Sequence, residues 1–100
     1  MFIHTVFFWA KENISLNEAA DFEDGLQTLR AVENIREFYV GTPADTDRPV
    51  IDSSYSYALI IHFDTESDQN IYQEHPIHHE FIRNNSKYWS KVLVYDCVTI

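Results

Sequence analysis

The feature that most limits what this chain can fold into is a strand with no solvent face. Side chains alternate along a strand, so Phe2, His4, Val6 and Phe8 point one way and Ile3, Thr5, Phe7 and Trp9 the other. Both sets are rich in the aromatic and β-branched residues that strands favour. A half-solvated strand would alternate apolar with polar. Residues 55–63 repeat the pattern, with Tyr57, Leu59, Ile61 and Phe63 against Ala58, Ile60 and His62. A sheet made of such strands has to be covered on both sides.

The remaining segments supply one of those covers. Ser15 and Glu18 form a capping box, in which a hydroxyl and a carboxylate each satisfy an orphan amide. The stripe Ala19, Phe22, Leu26, Leu29 follows at helical spacing and predicts an amphipathic helix over 15–31. Gly25 inside it costs about 1 kcal/mol relative to Ala, which close packing against a neighbour would explain. A second strand is expected over 35–41. Residues 42–54, with Pro43 and Pro49, form the long loop before the third strand. Thr65 and Asp68 can cap a second helix running to about Glu74. Pro76 disfavours a helical His75, so this helix should break and restart as a short one ending near Asn84. The last strand is expected over 92–98.

The order β-α-β-β-α-β is the split βαβ, or ferredoxin-like, arrangement: an α+β protomer with a four-stranded antiparallel sheet and its helices on one face. A second copy of the same sheet covers the other face most simply. That gives a two-fold homodimer, a dimeric α+β barrel.

With 100 residues, the chain suits a single domain spanning 1–100. Its 45% hydrophobic content is far from that of a disordered chain. The net charge of −9 and the lack of any basic run argue against nucleic acid or anionic membrane as partners. Cys97 is the only cysteine, so no internal disulfide forms and a reducing cytoplasm is the expected location. Residues 1–10 lack a charged leader-type start and are too short to span a bilayer. No glycine-rich phosphate loop, nucleophile elbow or cysteine pair is legible, and no cofactor is expected.

The polar residues with chemical potential are Tyr72, His75, His78 and His79, together with His4 in the first strand. Tyr72 and His78 would stand about 240° apart on a continuous helix; the break at Pro76 is what could turn them to one point. His78 can act as a general acid–base near neutral pH. The Tyr72 phenol can hold a carbonyl or phenolate oxygen. The same residues also read as a core aromatic and a helix-capping histidine, and His4 as a satisfied core group. His75 and His78 have the spacing of a metal pair, but no third ligand accompanies them, and no metal is expected. Trp9, Trp89, Phe8 and Phe22 read as core or pocket wall.

Tyr72, His75-Pro76, His78 and Phe81, preceded by Phe63-Asp64 and a short helix, with His4 early and Val94-Tyr95-Asp96 late, resemble the stress-responsive dimeric A/B barrel family. The resemblance covers essentially the whole chain, and its most telling stretch is the tyrosine followed by His-Pro-x-His. It implies a ferredoxin-like protomer whose sheet closes against a partner's. A relative, the plant olivetolic acid cyclase, closes a linear tetraketide thioester by an aldol step without a cofactor. Its catalytic histidine corresponds to His78 and its helping tyrosine to Tyr72. Substrate-pocket positions correspond to His4, Val6, Phe8, Phe22, Leu59 and Trp89, whereas Glu23 and Leu26 stand where the cyclase has aromatic wall. Three functions follow as expectations. One is a cofactor-free enzyme on a small carbonyl or polyketide-like substrate. Another is a non-catalytic dimer that serves stress tolerance or binds a small apolar or aromatic ligand. The third is a cofactor-free monooxygenase.

Overall fold

In the computed structural model, which describes residues 1–100, four strands and three helices follow in the expected order, the second helix being broken in two. β1 (Phe2–Ala10) leads through a tight turn into α1 (Leu16–Thr28), which ends in a 3-10 turn, Leu29–Ala31. β2 (Glu37–Gly41) and β3 (Tyr57–Phe63) follow, then α2 (Glu66–Glu74), α3 (Pro76–Asn85), a second 3-10 turn and β4 (Trp89–Val98). The sheet order is β2-β3-β1-β4, and every neighbouring pair is antiparallel.

The local signals act as read. Ser15 accepts from the Glu18 amide while the Glu18 carboxylate accepts from the Ser15 amide, closing the capping box. Thr65 caps α2 by accepting from the Asp68 amide. At the break, His75 is extended (φ −67°, ψ 139°) and becomes the N-cap of α3, its Nδ1 accepting from the Ile77 amide at 3.1 Å. Pro76 follows at the first helical position, where its missing N–H costs nothing. β4 begins three residues earlier than expected, at Trp89.

The core lies between the sheet and its helices. On that side Phe2, Val6, Phe8, Tyr57, Leu59, Ile61 and Phe63 meet Phe22, Leu26 and Leu29, Tyr72 and Phe81. Gly25 has a concrete reason: a Cβ there would sit 2.1 Å from Asn85 Oδ1, because the buried Asn85 wedges α3 against α1. Asn85 stays satisfied by donating from Nδ2 to the Phe81 carbonyl at 2.9 Å. The opposite face of the sheet carries no helix. Ile3, Phe7, Trp9, Ile60 and Leu93 are only half-buried there, and Tyr39 and Tyr95 are exposed. No helix is long and apolar enough to cross a membrane.

Candidate functional site

The register of β1 with β4 decides where the helix-covered face stays open. Phe8 pairs with Val92, Val6 with Val94 and His4 with Asp96, so these β4 side chains share the helix side of the sheet. No helix lies squarely above them: Val92 is 38% exposed and Val94 44%. Between this strand and the broken helix lies a cavity of about 200 Å³, walled by His4, Val6, Phe8, Leu59, Tyr72 and His78, with Gln73, Phe81, Ile82, Trp89, Val92 and Val94 completing it.

The break at Pro76 brings Tyr72 and His78 together on this wall. Their rings meet edge to face with centroids 4.9 Å apart. His4 meets the Tyr72 ring in the same way at 6.0 Å. His4 is almost fully buried, and its Nδ1 lies 2.6 Å from Asp96 Oδ1. His78 differs in that its Nδ1 is sealed from solvent without a hydrogen-bond partner. No contact within the chain therefore dictates which His78 nitrogen carries the proton, and Nε2 is the one that can meet a ligand.

Burial pushes the two central groups in opposite directions. Desolvation lowers the His78 pKa below the usual imidazole value of 6.5, helped by His79 and His4 and opposed by Glu74. Desolvation alone raises the Tyr72 phenol well above its usual value of 10. At neutral pH the pair is thus an uncharged imidazole beside an un-ionised phenol, a proton acceptor and a hydrogen-bond donor on one apolar wall.

Of the residues expected at the site, His4, Val6, Phe8, Leu59, Tyr72, His78 and Trp89 all border the cavity. Phe22 does not. It is fully buried in the core, edge-on to Phe8 at 5.5 Å and stacked on Tyr88 at 5.8 Å, and it stands behind Phe8 and Trp89, whose rings border the cavity. His75 spends its Nδ1 on the α3 cap. His79 points outward, its side chain 56% exposed. Sequence reasoning missed Asp96, Val92 and Val94 as site residues, and only the β1–β4 register reveals them. Ile82 was within reach, since it lies one helical turn beyond His78.

The sequence model of the Stress responsive A/B Barrel Domain matches residues 2–99. No curated protein matches the chain in sequence. Among solved structures, a Dabb family protein with a ferredoxin-like fold from Mesorhizobium loti is 26% identical, with a TM-score of 0.80 over 99% of this chain and 96% of that one. A dimeric ferredoxin-like protein of unknown function from Thermobifida fusca is 16% identical, with a TM-score of 0.79 over 98% of this chain and 90% of that one. A hydroxynitrile lyase from Passiflora edulis is 20% identical, with a TM-score of 0.80 over 99% of this chain and 93% of that one. Since the family model spans nearly every residue and the ferredoxin-like topology is the one found here, the chain belongs to the stress-responsive A/B barrel domain family.

Proposed function

We propose that this protein is a cofactor-free acid–base enzyme acting on a small carbonyl compound or a short polyketide-like chain, and that it works as a homodimer in the cytoplasm. The observation that carries the catalytic reading is the meeting of Tyr72 and His78 at 4.9 Å on the wall of one apolar cavity. Drug-sized ligands need roughly 300–1,000 Å³, so about 200 Å³ suits something smaller.

The step follows from the protonation states. His78 takes a proton from the carbon beside the carbonyl, and the electron pair moves onto the carbonyl oxygen as an enolate. Tyr72 donates a hydrogen bond to that oxygen, where the charge collects. The enolate carbon then either takes the proton back from the imidazolium or attacks a second carbonyl in an aldol closure. In the closure, the oxygen of that second carbonyl becomes an alkoxide and takes the proton from the His78 imidazolium, restoring the neutral base. The fold also hosts the Passiflora edulis hydroxynitrile lyase, so an enzyme in this architecture has precedent.

Exchange of α-protons in D2O, followed by NMR across a panel of small ketones and β-diketones, tests this without knowing the substrate. Loss of a general base lowers a rate by about 10²–10⁴-fold, and that loss is expected for His78→Ala, with a smaller one for Tyr72→Phe. His79→Ala should exchange at the wild-type rate. Full activity in His78→Ala would rule the mechanism out. Equal loss in all three variants would assign them a structural role, and a cavity that binds ketones without exchanging them would make the protein a binding module.

The homodimer rests on the uncovered sheet face and on the dimeric relative from Thermobifida fusca. Light scattering should give twice the chain mass of 11.8 kDa. Phe7→Asp should abolish that species, because an unpaired buried charge costs several kcal/mol. A well-folded wild-type monomer at micromolar concentration would refute it.

A further inference from the structure

The His4–Asp96 contact has no place in the step above, yet it constrains the cavity more tightly than any other polar contact there. We propose that Asp96 holds His4 as its Nδ1–H tautomer, which turns a bare Nε2 into the cavity and selects a small, uncharged hydroxy-carbonyl compound as ligand. The ligand class rests on the catalytic reading only in placing the carbonyl oxygen at Tyr72.

The argument begins with what each atom can do. An ionised carboxylate only accepts hydrogen bonds. At 2.6 Å from Asp96 Oδ1, His4 Nδ1 must therefore be the donor. In the neutral ring Nε2 is then an acceptor, because the tautomer is set by the hydrogen bond the other nitrogen makes. The residue is only 4% exposed, so this nitrogen has little to meet but the cavity. It is not sealed in, either: the one side-chain nitrogen or oxygen both sealed and unpartnered is His78 Nδ1. Since the His4 ring borders the cavity, Nε2 opens into it.

Two fixed polar groups thus share an otherwise mostly apolar space, the Tyr72 hydroxyl as donor and His4 Nε2 as acceptor. A ketone alone satisfies the first and leaves the second desolvated. A hydroxyl elsewhere on the same small molecule can donate to His4 while its carbonyl accepts from Tyr72. A charged ligand is disfavoured, because no permanently charged side chain lines the cavity to pair with it. Asp96 itself is a positioning residue: its side chain is 41% exposed at the rim and acts on the ligand only through His4.

The test uses imidazole ¹⁵N NMR on the whole chain, with two probes that differ by one hydroxyl, 4-hydroxy-4-methylpentan-2-one and 4-methylpentan-2-one. Wild-type His4 should show its proton on Nδ1, and Asp96→Ala should shift the ring toward the Nε2–H form with the fold intact, as partial exposure of Asp96 allows. The hydroxy ketone should bind wild type about 5–10-fold more tightly than the ketone, the worth of one hydrogen bond of roughly 1 kcal/mol. Asp96→Ala should erase that preference while leaving the ketone's own affinity unchanged. A wild-type His4 protonated on Nε2 overturns the assignment of Asp96. Equal affinity of the two probes, or binding of neither, overturns the ligand class. Absent α-proton exchange alongside an intact tautomer and an intact hydroxyl preference would sink the enzyme reading and leave this one standing.

Discussion

Under α1 the sheet is packed solid, with Phe22, Leu26 and Leu29 at zero exposure and Asn85 wedged into the space left by Gly25. Under α2 and α3 the same sheet face surrounds a cavity, and its wall carries His4, Tyr72 and His78 among aliphatic and aromatic neighbours. Both halves use strands of the same kind, and β1 serves both. What separates them is the layer above. A continuous α1 lays an unbroken apolar stripe on the sheet, whereas the chain after β3 is broken at Pro76 and leaves β4 without a helix directly over it. The solid half holds the fold together, and the hollow half buries His4 and Tyr72 beside a half-buried His78.

The largest effect expected from this contrast is on stability. Phe22→Ala removes a ring in contact with Phe8, Tyr57, Tyr88 and Trp89. Core Phe→Ala changes cost about 3–5 kcal/mol, a large part of a small domain's total. Val94→Ala, on the cavity rim and 44% exposed, should cost only about 1 kcal/mol, since the two methyl groups removed are partly in water already and leave no closed void behind. Urea titration of both variants checks the pair. Similar losses would mean that the hollow half is as tightly packed as the solid one.

A smaller effect tests the seam between the halves. Gly25→Ala gains about 1 kcal/mol of helix propensity but places a methyl 2.1 Å from Asn85 Oδ1. Asn85 must move and lose its hydrogen bond to Phe81, and overpacking of this kind costs about 1–3 kcal/mol. The net change should be a destabilisation of up to about 2 kcal/mol. The change should reverse sign when made in an Asn85→Ala background. A stabilised single variant would show that the two helices can part freely.

The contrast between the halves also explains what was legible in the sequence. The two-sided strands, the capping box at Ser15 and the break before Pro76 are local signals, readable over a few residues, and they led to the ferredoxin-like order and to the approach of Tyr72 and His78. Asp96, Val92 and Val94 became site residues only through pairing with residues about ninety positions away in the chain; nothing near them signals that register. Phe22 was misplaced for a related reason. Its helical spacing puts it on the buried stripe, but whether a buried ring faces a cavity or stands behind another ring depends on how Phe8 and Trp89 are turned. Gly25 drew notice at once as an anomaly, and its cause lay on another helix.

The smallest expected effect separates the halves by pH. His78 in the hollow half has a folded-state pKa below its unfolded value of 6.5, chiefly because burial penalises the imidazolium. Between those two values the unfolded chain binds more protons than the folded one, so stability rises with pH through the window. Stability is undiminished by His78 above about 6.5 and declines as pH falls from there toward its folded pKa. His79, exposed one residue on, has no comparable burial. Urea midpoints measured at pH 7.5 and pH 5.5 should therefore drop in wild type and in His79→Gln, and drop less in His78→Gln. The drop is bounded by the desolvation of a single ring, so it should be modest. An identical drop in all three proteins would mean that water reaches His78 as freely as it reaches the surface, and the description of a dry hollow beside Tyr72 would fail.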